Sequence, residues 1–370
     1  MNYVAKIISA AVLGGALGGT ASAQTMTALT SFGANGWLAP GAGGYTYLTT
    51  GSTERGLAYG NGDLYLVSRA SGTAVRILNP LTGADIGSLN TAGITGGTFA
   101  LNTIGVGQDG TIYANNLTTQ STTTPYKIYS WANNAATPTV AYSGNGGLAG
   151  ARVGDSLAVT GSGRSTLIAS GYGNSPTVAG NNGYAIINPT LGSATAVSLT
   201  GPTAGDFRLG LTFTDSSHVL GSQGSSLYRN TSFSGSTGTL LGSPTIPDPA
   251  GATADRLLAY TLLGGEALLA VQSTGDSHVS LYNDTDPNNP VYITSLNNTT
   301  GTLTANANAT GQLAWGAVTD NADGSVSQDL YAMSSNQGIQ AFIVTVPEPS
   351  SLALGATALT LVAARKKFLP

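Results

Sequence analysis

Six times along its 370 residues the chain returns to one pattern: a short apolar strand, a tight turn, then a second apolar strand. This periodicity restricts the fold more than any other feature of the sequence. The first copy reads RGLAYGNGDLYLVSR and turns at Asn61-Gly62-Asp63; the second reads NTIGVGQDGTIYANN and turns at Gln108-Asp109-Gly110. DSLAVTGSGRSTLIASG, RLGLTFTDSSHVLGSQ, LLAYTLLGGEALLAVQ and QLAWGAVTDNADGSVSQDLYAMSS continue the series. Apolar alternation between Gly, Asp and Asn turn signals marks antiparallel hairpins. Third strands follow in AVRILNPLTG, YKIYSWANN, YAIINPTLG, SLYRNTSFSG and VSLYNDTDPNNP, and fourth strands in IGSLN, TVAYSG, AVSLTG, TLLGS and YITSL. The aligned positions Tyr65, Tyr113, Ile168, Leu220, Leu269 and Tyr331 stand 48, 55, 52, 49 and 62 residues apart. Four strands in a period of about 50 residues predict an all-β fold, a β-propeller of four-stranded blades.

The ends of the repeat set the blade count. The sixth copy supplies strands at 313–318, near Leu330 and at 339–344, and then the chain leaves the pattern without a fourth strand. The first copy begins only near Arg55, with an unused strand candidate, TMTALTSFG, at 25–33. Lending that strand to the last blade closes the ring and removes both exposed sheet edges. Six blades are expected, with seven the alternative if residues 37–50 join another sheet. Only 8% of the residues are charged, which by itself would suit disorder. Disordered chains, however, combine high net charge with few aromatics, and here 16 Tyr, 7 Phe and 3 Trp supply a core.

Both termini read as processing signals. In MNYVAKIISAAVLGGALGGTASAQ, Lys6, a short apolar run and Ala21-Ser22-Ala23 make a secretory signal peptide, cleaved before Gln24. At the other end an uncharged stretch at 351–364 precedes Arg365, Lys366 and Lys367. As a helix it would cover about 21 Å, short of a hydrocarbon core of about 30 Å. The basic triplet would stay on the cytoplasmic side and halt translocation. The organisation expected is signal peptide 1–23, propeller 24–346 and a C-terminal segment 347–370. Val346, Pro347, Glu348 and Pro349, the apolar run and the basic cluster together resemble the PEP-CTERM sorting signal of exported bacterial proteins. That resemblance implies an exosortase-type processing enzyme as partner, transient membrane association of the tail, its removal, and delivery to the cell surface or exopolysaccharide matrix. TERGLAY, VSR, RILNPLTG, FALN and PYKIYSWAN also resemble an uncharacterised family of bacterial secreted, propeller-like repeat proteins, over about residues 32–344. The family brings no established activity with it.

Charge narrows the partners. Between the two signals nine basic groups face 16 acidic ones, so the body carries about −7. Nucleic-acid binding needs clustered Lys and Arg and is not expected. The chain has no cysteine, hence no disulfide and no thiol nucleophile. Four of the body's eight arginines, Arg55, Arg152, Arg208 and Arg256, stand just before the first strand of a blade. Asn102 and Gln312 hold the comparable places in blades two and six. First strands line a propeller's channel, so these residues would ring one mouth, where guanidiniums bind carboxylates, uronic acids or sulfated sugars. The opposing expectation is that they brace blades against Glu54, Asp155, Asp206 and Asp255.

Catalytic and metal chemistry are thinly supplied. His218 and His278 are the two histidines and occupy unrelated places in their repeats, where surface or turn positions are expected. No H-E-x-x-H, G-x-S-x-G or Ser/His/Asp signature occurs. No cofactor is expected, although Glu54, Asn102 and Asp155 offer oxygens with which a mouth could hold calcium. Residues 320–324 and 283–290 carry turn-forming Asp, Asn, Gly and Pro without the spacing of a calcium loop. Trp37, Trp131 and Trp315 are possible stacking platforms for sugars, but core positions suit large strand aromatics better. Trp131 is expected to be partly buried between blades. The function expected is a non-catalytic surface or matrix protein with the propeller as binding or structural module. The alternative is a metal-assisted hydrolase or lyase acting on a lactone or acidic polysaccharide.

Overall fold

The computed structural model describes residues 24–224, 227–248 and 254–347, and in them six antiparallel sheets form the six blades of a β-propeller. The strands nearest the axis are Glu54–Gly60, Phe99–Val106, Ala158–Thr160, Gly210–Phe213, Asp255–Leu263 and Gly311–Asp320. Each is followed outward by its hairpin partner and two further strands. In blade one the partner is Asp63–Ser68, joined through Asn61-Gly62, both at positive φ (55° and 80°). That is the backbone a two-residue hairpin demands, and Asn-Gly adopts it most readily.

Burial explains the composition of each strand. Second strands are covered on both faces by neighbouring blades, so DLYLVS and EALLAVQS are buried almost throughout. Outer strands face solvent on one side, and Thr237–Gly242 alternates exposed and half-buried residues. Near the axis the strands crowd, and glycine lets them approach. A Cβ on Gly56 would stand 2.8 Å from the Thr103 Cα, and one on Gly210 would collide with the carbonyl of Arg256. The apolar residues gather in six clusters, each between two adjacent blades. No blade owns a core of its own.

The last blade is completed by the chain's beginning, as its missing strand implied. Thr25–Ala28 pairs antiparallel with the final strand Gly338–Val346, placing Thr25 opposite Thr345 and Ala28 opposite Phe342. This strand is shorter than the nine residues expected. After Ala28 the chain makes a detour and returns, so that Trp37–Leu38 pairs with Gln340 and Ile339 on the same edge. Residues 37–50 therefore complete blade six and cover its boundary with blade one, and a seventh blade does not form. Phe32, fully buried in the detour, packs on Tyr331 at 5.9 Å and joins a cluster with Leu57 and Leu64 of blade one. Val346 ends the last strand opposite Val326 and is itself buried.

The closure is testable by truncation. A protein starting at Gly36 loses the four-residue ladder together with buried Met26, Leu29 and Phe32. It should aggregate and melt far below the parent; a monomer with unchanged melting would refute closure by this strand. The milder Phe32→Ala should lower stability by about 3–5 kcal/mol in denaturant titration.

Candidate functional site

The channel has two unlike ends. At the end where the inner strands begin stand the four arginines, two of them gripping one acid. Arg152 grips Asp155 with Nε and Nη2, the latter at 2.7 Å, and Arg208 Nε donates to the same carboxylate at 3.0 Å. Asp155 is almost wholly buried. Arg55, only 4% exposed, meets neutral partners instead. Its Nε donates to Asn102 Oδ1 at 3.0 Å and its Nη1 to Thr310 Oγ1 at 2.9 Å. Asn102 passes the chain on, donating to the Gly154 carbonyl at 2.6 Å. The ring of Phe99 carries two guanidiniums, Arg69 at 3.5 Å and Arg55 at 4.9 Å.

Arg256 completes the arc without a carboxylate partner among the described residues, and its Nε is buried with no acceptor. The other acids near the mouth are engaged elsewhere. Asp206 pairs with Arg229 at 2.8 Å, and Glu54 accepts from the Thr49 amide and the Thr53 hydroxyl. Asp255 faces Asp248 and His278. Positive charge is therefore in excess. Burial, and then the charge of Arg69, bring Arg55 down to about 10. Burial and then Arg208 lower Arg256 as well. Both remain protonated at neutral pH, in surroundings that favour an added anion.

Gln312 does not stand in this ring, where the repeat alignment put it. Its amide crosses the channel and ties four blades together. Oε1 accepts from the Leu57 and Ile104 amides at 3.1 and 3.3 Å; Nε2 donates to the Ile104 and Leu157 carbonyls at 2.7 and 3.1 Å. Beyond it the channel opens into a funnel of about 380 Å³ whose wall includes Tyr59, Val106, Phe213, Tyr260 and Trp315. Those lie toward the far ends of the inner strands, where Thr160 and Thr214 also line the wall. Within this wall Trp315 Nε1 is buried without an acceptor.

The other sequence candidates take separate places. Glu54, Asn102 and Asp155 hold separate partners: Glu54 Oε1 accepts from Thr49 and Thr53 while its Oε2 is buried with no partner, Asn102 bridges Arg55 and Gly154, and Asp155 bonds Arg152 and Arg208. His218 is partly exposed beside Asp215 and opens the second strand of blade four, His218–Gly224. His278 departs from the expected surface position: it is 4% exposed and lies in an acidic cluster. Asp276-Ser277-His278, just before a third strand, reads as a turn, and only the fold brings Asp248 and Asp255 to it. Trp131 is fully buried and donates to the Asn90 carbonyl at 2.8 Å; Trp37 donates to the Gln337 carbonyl at 2.8 Å. The side chains of Asp323 and Asp286 accept amide hydrogen bonds within their own turns. Of the sorting residues, Glu348, Pro349, Arg365, Lys366 and Lys367 lie outside the described residues, as do the signal peptide and the sorting helix. Among the described residues no helix is long and apolar enough to cross a membrane.

Residues 26–202 match the model of a family described as a domain of unknown function, DUF4623. That span covers the closing strand and the first three blades. A DUF4623 family protein from Bacteroides eggerthii DSM 20697 has a similar structure, with TM-score 0.60 and 16% identity over 80% of this chain and 71% of that one. At this identity the likeness shows a shared fold. The major allergen Mala s 1 of Malassezia sympodialis is also similar, with TM-score 0.49 and 11% identity over 80% of this chain and 92% of that one. No curated protein matches the chain.

Gln312 lends itself to a direct test. Gln312→Leu keeps the volume but strands two amides and two carbonyls, each losing a buried hydrogen bond. The variant should unfold about 2–4 kcal/mol more easily, while Gln312 replaced by a leucine with no stability loss would show that the bridge contributes nothing.

Proposed function

We propose that this protein is an exported, non-catalytic binding module of the cell surface or exopolysaccharide matrix, and that its arginine mouth holds an acidic polysaccharide. One observation carries the reading. Of the four mouth arginines only Arg152 and Arg208 bond a carboxylate, that of Asp155, in a body that is otherwise acidic; Arg55 is held by neutral partners, and Arg256 has no carboxylate partner among the described residues. Desolvated guanidiniums without counter-charges are costly unless an anion supplies them. Carboxylate or sulfate groups on a glycan match their forked donors. Asp155 braces Arg152 and Arg208 in place, so the mouth is organised before a ligand arrives. Export rests on the two terminal signals: the leader ahead of Gln24, and the Pro347 to Lys367 segment that resembles an exosortase substrate. The hydrolase or lyase alternative gains no support from the mouth, because Asn102 Oδ1 and both Asp155 oxygens accept from arginines and Glu54 Oε1 accepts from the Thr49 amide and the Thr53 hydroxyl.

Retention on an alginate or sulfated-glycan column tests the reading. The parent should bind, elute as salt rises, and ignore a neutral glucan. Arg256→Ala should abolish retention while stability stays within about 0.5 kcal/mol. Retention unaffected by Arg256→Ala, or equal on the neutral glucan, would defeat the proposal. The double change Arg152→Ala and Arg208→Ala should instead destabilise the fold by about 3–5 kcal/mol, because it leaves Asp155 buried and unpaired. For the sorting claim, mass spectrometry of the protein recovered from the native cell envelope should find no peptide beyond about Pro349. Recovery of the Arg365–Lys367 peptide from surface-located protein would overturn it.

A further inference from the structure

Around the start of blade five, three carboxylates and one imidazole meet. Asp248 lies in the connection before the blade, Asp255 opens its first strand, and Asp276 and His278 precede its third strand, Val279–Asn283. His278 Nε2 stands 3.3 Å from Asp248 Oδ2 and 4.0 Å from Asp255 Oδ1, and its Nδ1 stands 2.8 Å from Asp276 Oδ1. Asp255 is 1% exposed, and among the described residues no hydrogen-bond donor reaches either of its carboxylate oxygens. No Lys or Arg pairs with Asp255 or Asp276 there. The corresponding residue of blade one, Glu54, also precedes an arginine, but it accepts a backbone amide and a threonine hydroxyl. Asp255 has neither.

The hydrogen-bond logic calls for a cation. Asp276 accepts a hydrogen bond from Nδ1–H, which leaves the Nε2 lone pair facing two carboxylates, which are acceptors as well. A proton on Nε2 would serve one of them, at 3.3 Å, and leave Asp255 unserved. A metal ion would serve all three.

We propose that Asp248, Asp255 and His278 bind one divalent transition metal of the zinc class, with Asp276 as the positioning residue that orients the imidazole. Ligand bonds of about 2.0–2.2 Å in a tetrahedral site place donor atoms about 3.3 Å apart. His278 and Asp248 have that separation, and the three donor atoms lie within 4.8 Å of one another. One nitrogen and two oxygens suit Zn²⁺ or Mn²⁺. Ca²⁺ takes six to eight oxygens and is a poor match. An open fourth position falls to water, and the ion would clamp the connection bearing Asp248 onto blade five. The site uses none of the groups in the arginine mouth, so it stands or falls separately from the anion reading.

Tag-free protein, stripped with chelator and checked for folding by circular dichroism, is titrated with Zn²⁺ and, for its visible bands, with Co²⁺. One ion per chain is expected, with Co²⁺ bands typical of nitrogen and oxygen ligation. His278→Gln should abolish binding. Asp276→Ala alters an exposed carboxylate, so the fold should persist while affinity falls about 10–100-fold. Failure of the folded, stripped protein to take up Zn²⁺ or Mn²⁺ would overturn the site. So would stoichiometric binding untouched by both substitutions, or uptake of Ca²⁺ in preference to Zn²⁺. A parent that takes up no metal but gains stability from Asp255→Asn would reveal a proton-sharing acid pair instead.

Discussion

Everything in this molecule leans on the antiparallel contact between Thr25–Ala28 and the last strand. A propeller distributes its core among the gaps between blades, and here each of the six apolar clusters is built by two neighbours. A gap left open would expose two blade faces and a sheet edge together. The amino-terminal residues prevent this by completing blade six and then, through Phe32 and Leu38, covering its junction with blade one. Sequence-distant ends are thus held in one sheet, and the intervening five blades are kept in register by being enclosed.

Closure also creates the channel. Six inner strands can converge only where side chains are absent or directed along the axis, which is the role of Gly56 and Gly210. Gln312 then fills the narrowest part with an amide whose oxygen and nitrogen each meet two backbone groups. It separates the funnel from the cationic mouth. The mouth inherits its geometry from the repeat: residues just ahead of inner strands arrive at one end of the ring, and four of them are arginines. Asp155 neutralises part of that charge by bonding both Arg152 and Arg208.

Much of this was legible in the chain. Hairpins declared themselves through pairs such as Asn61-Gly62, whose backbone requirement is local, and blade number through a repeat whose last copy lacked a strand. The arginine positions were visible for the same reason, since a repeat fixes depth along the axis. Their partners were not. Whether Asp155, Asp206 or Asp255 meets a given guanidinium depends on side-chain direction across blades, and only Asp155 does so among these three for the mouth arginines. Gln312 aligned with Asn102, yet it crosses the channel where Asn102 bridges neighbours at the rim. His278 looked like a turn residue because its acidic companions, Asp248 and Asp255, lie more than 20 residues away in sequence and come to it only through blade packing. The detour between Ala28 and Trp37 likewise left no periodic trace, being set by the seat of Phe32 against Tyr331.

The proposed anion-binding role rests on the cationic mouth, and anomalous diffraction from crystals soaked in bromide examines it most directly. Ordered bromide within contact distance of Arg256, and of Arg208 beside it, is the result expected from uncompensated guanidiniums at that end of the channel. Well-diffracting crystals with bromide elsewhere on the surface and none at the four arginines would contradict an anion-binding mouth.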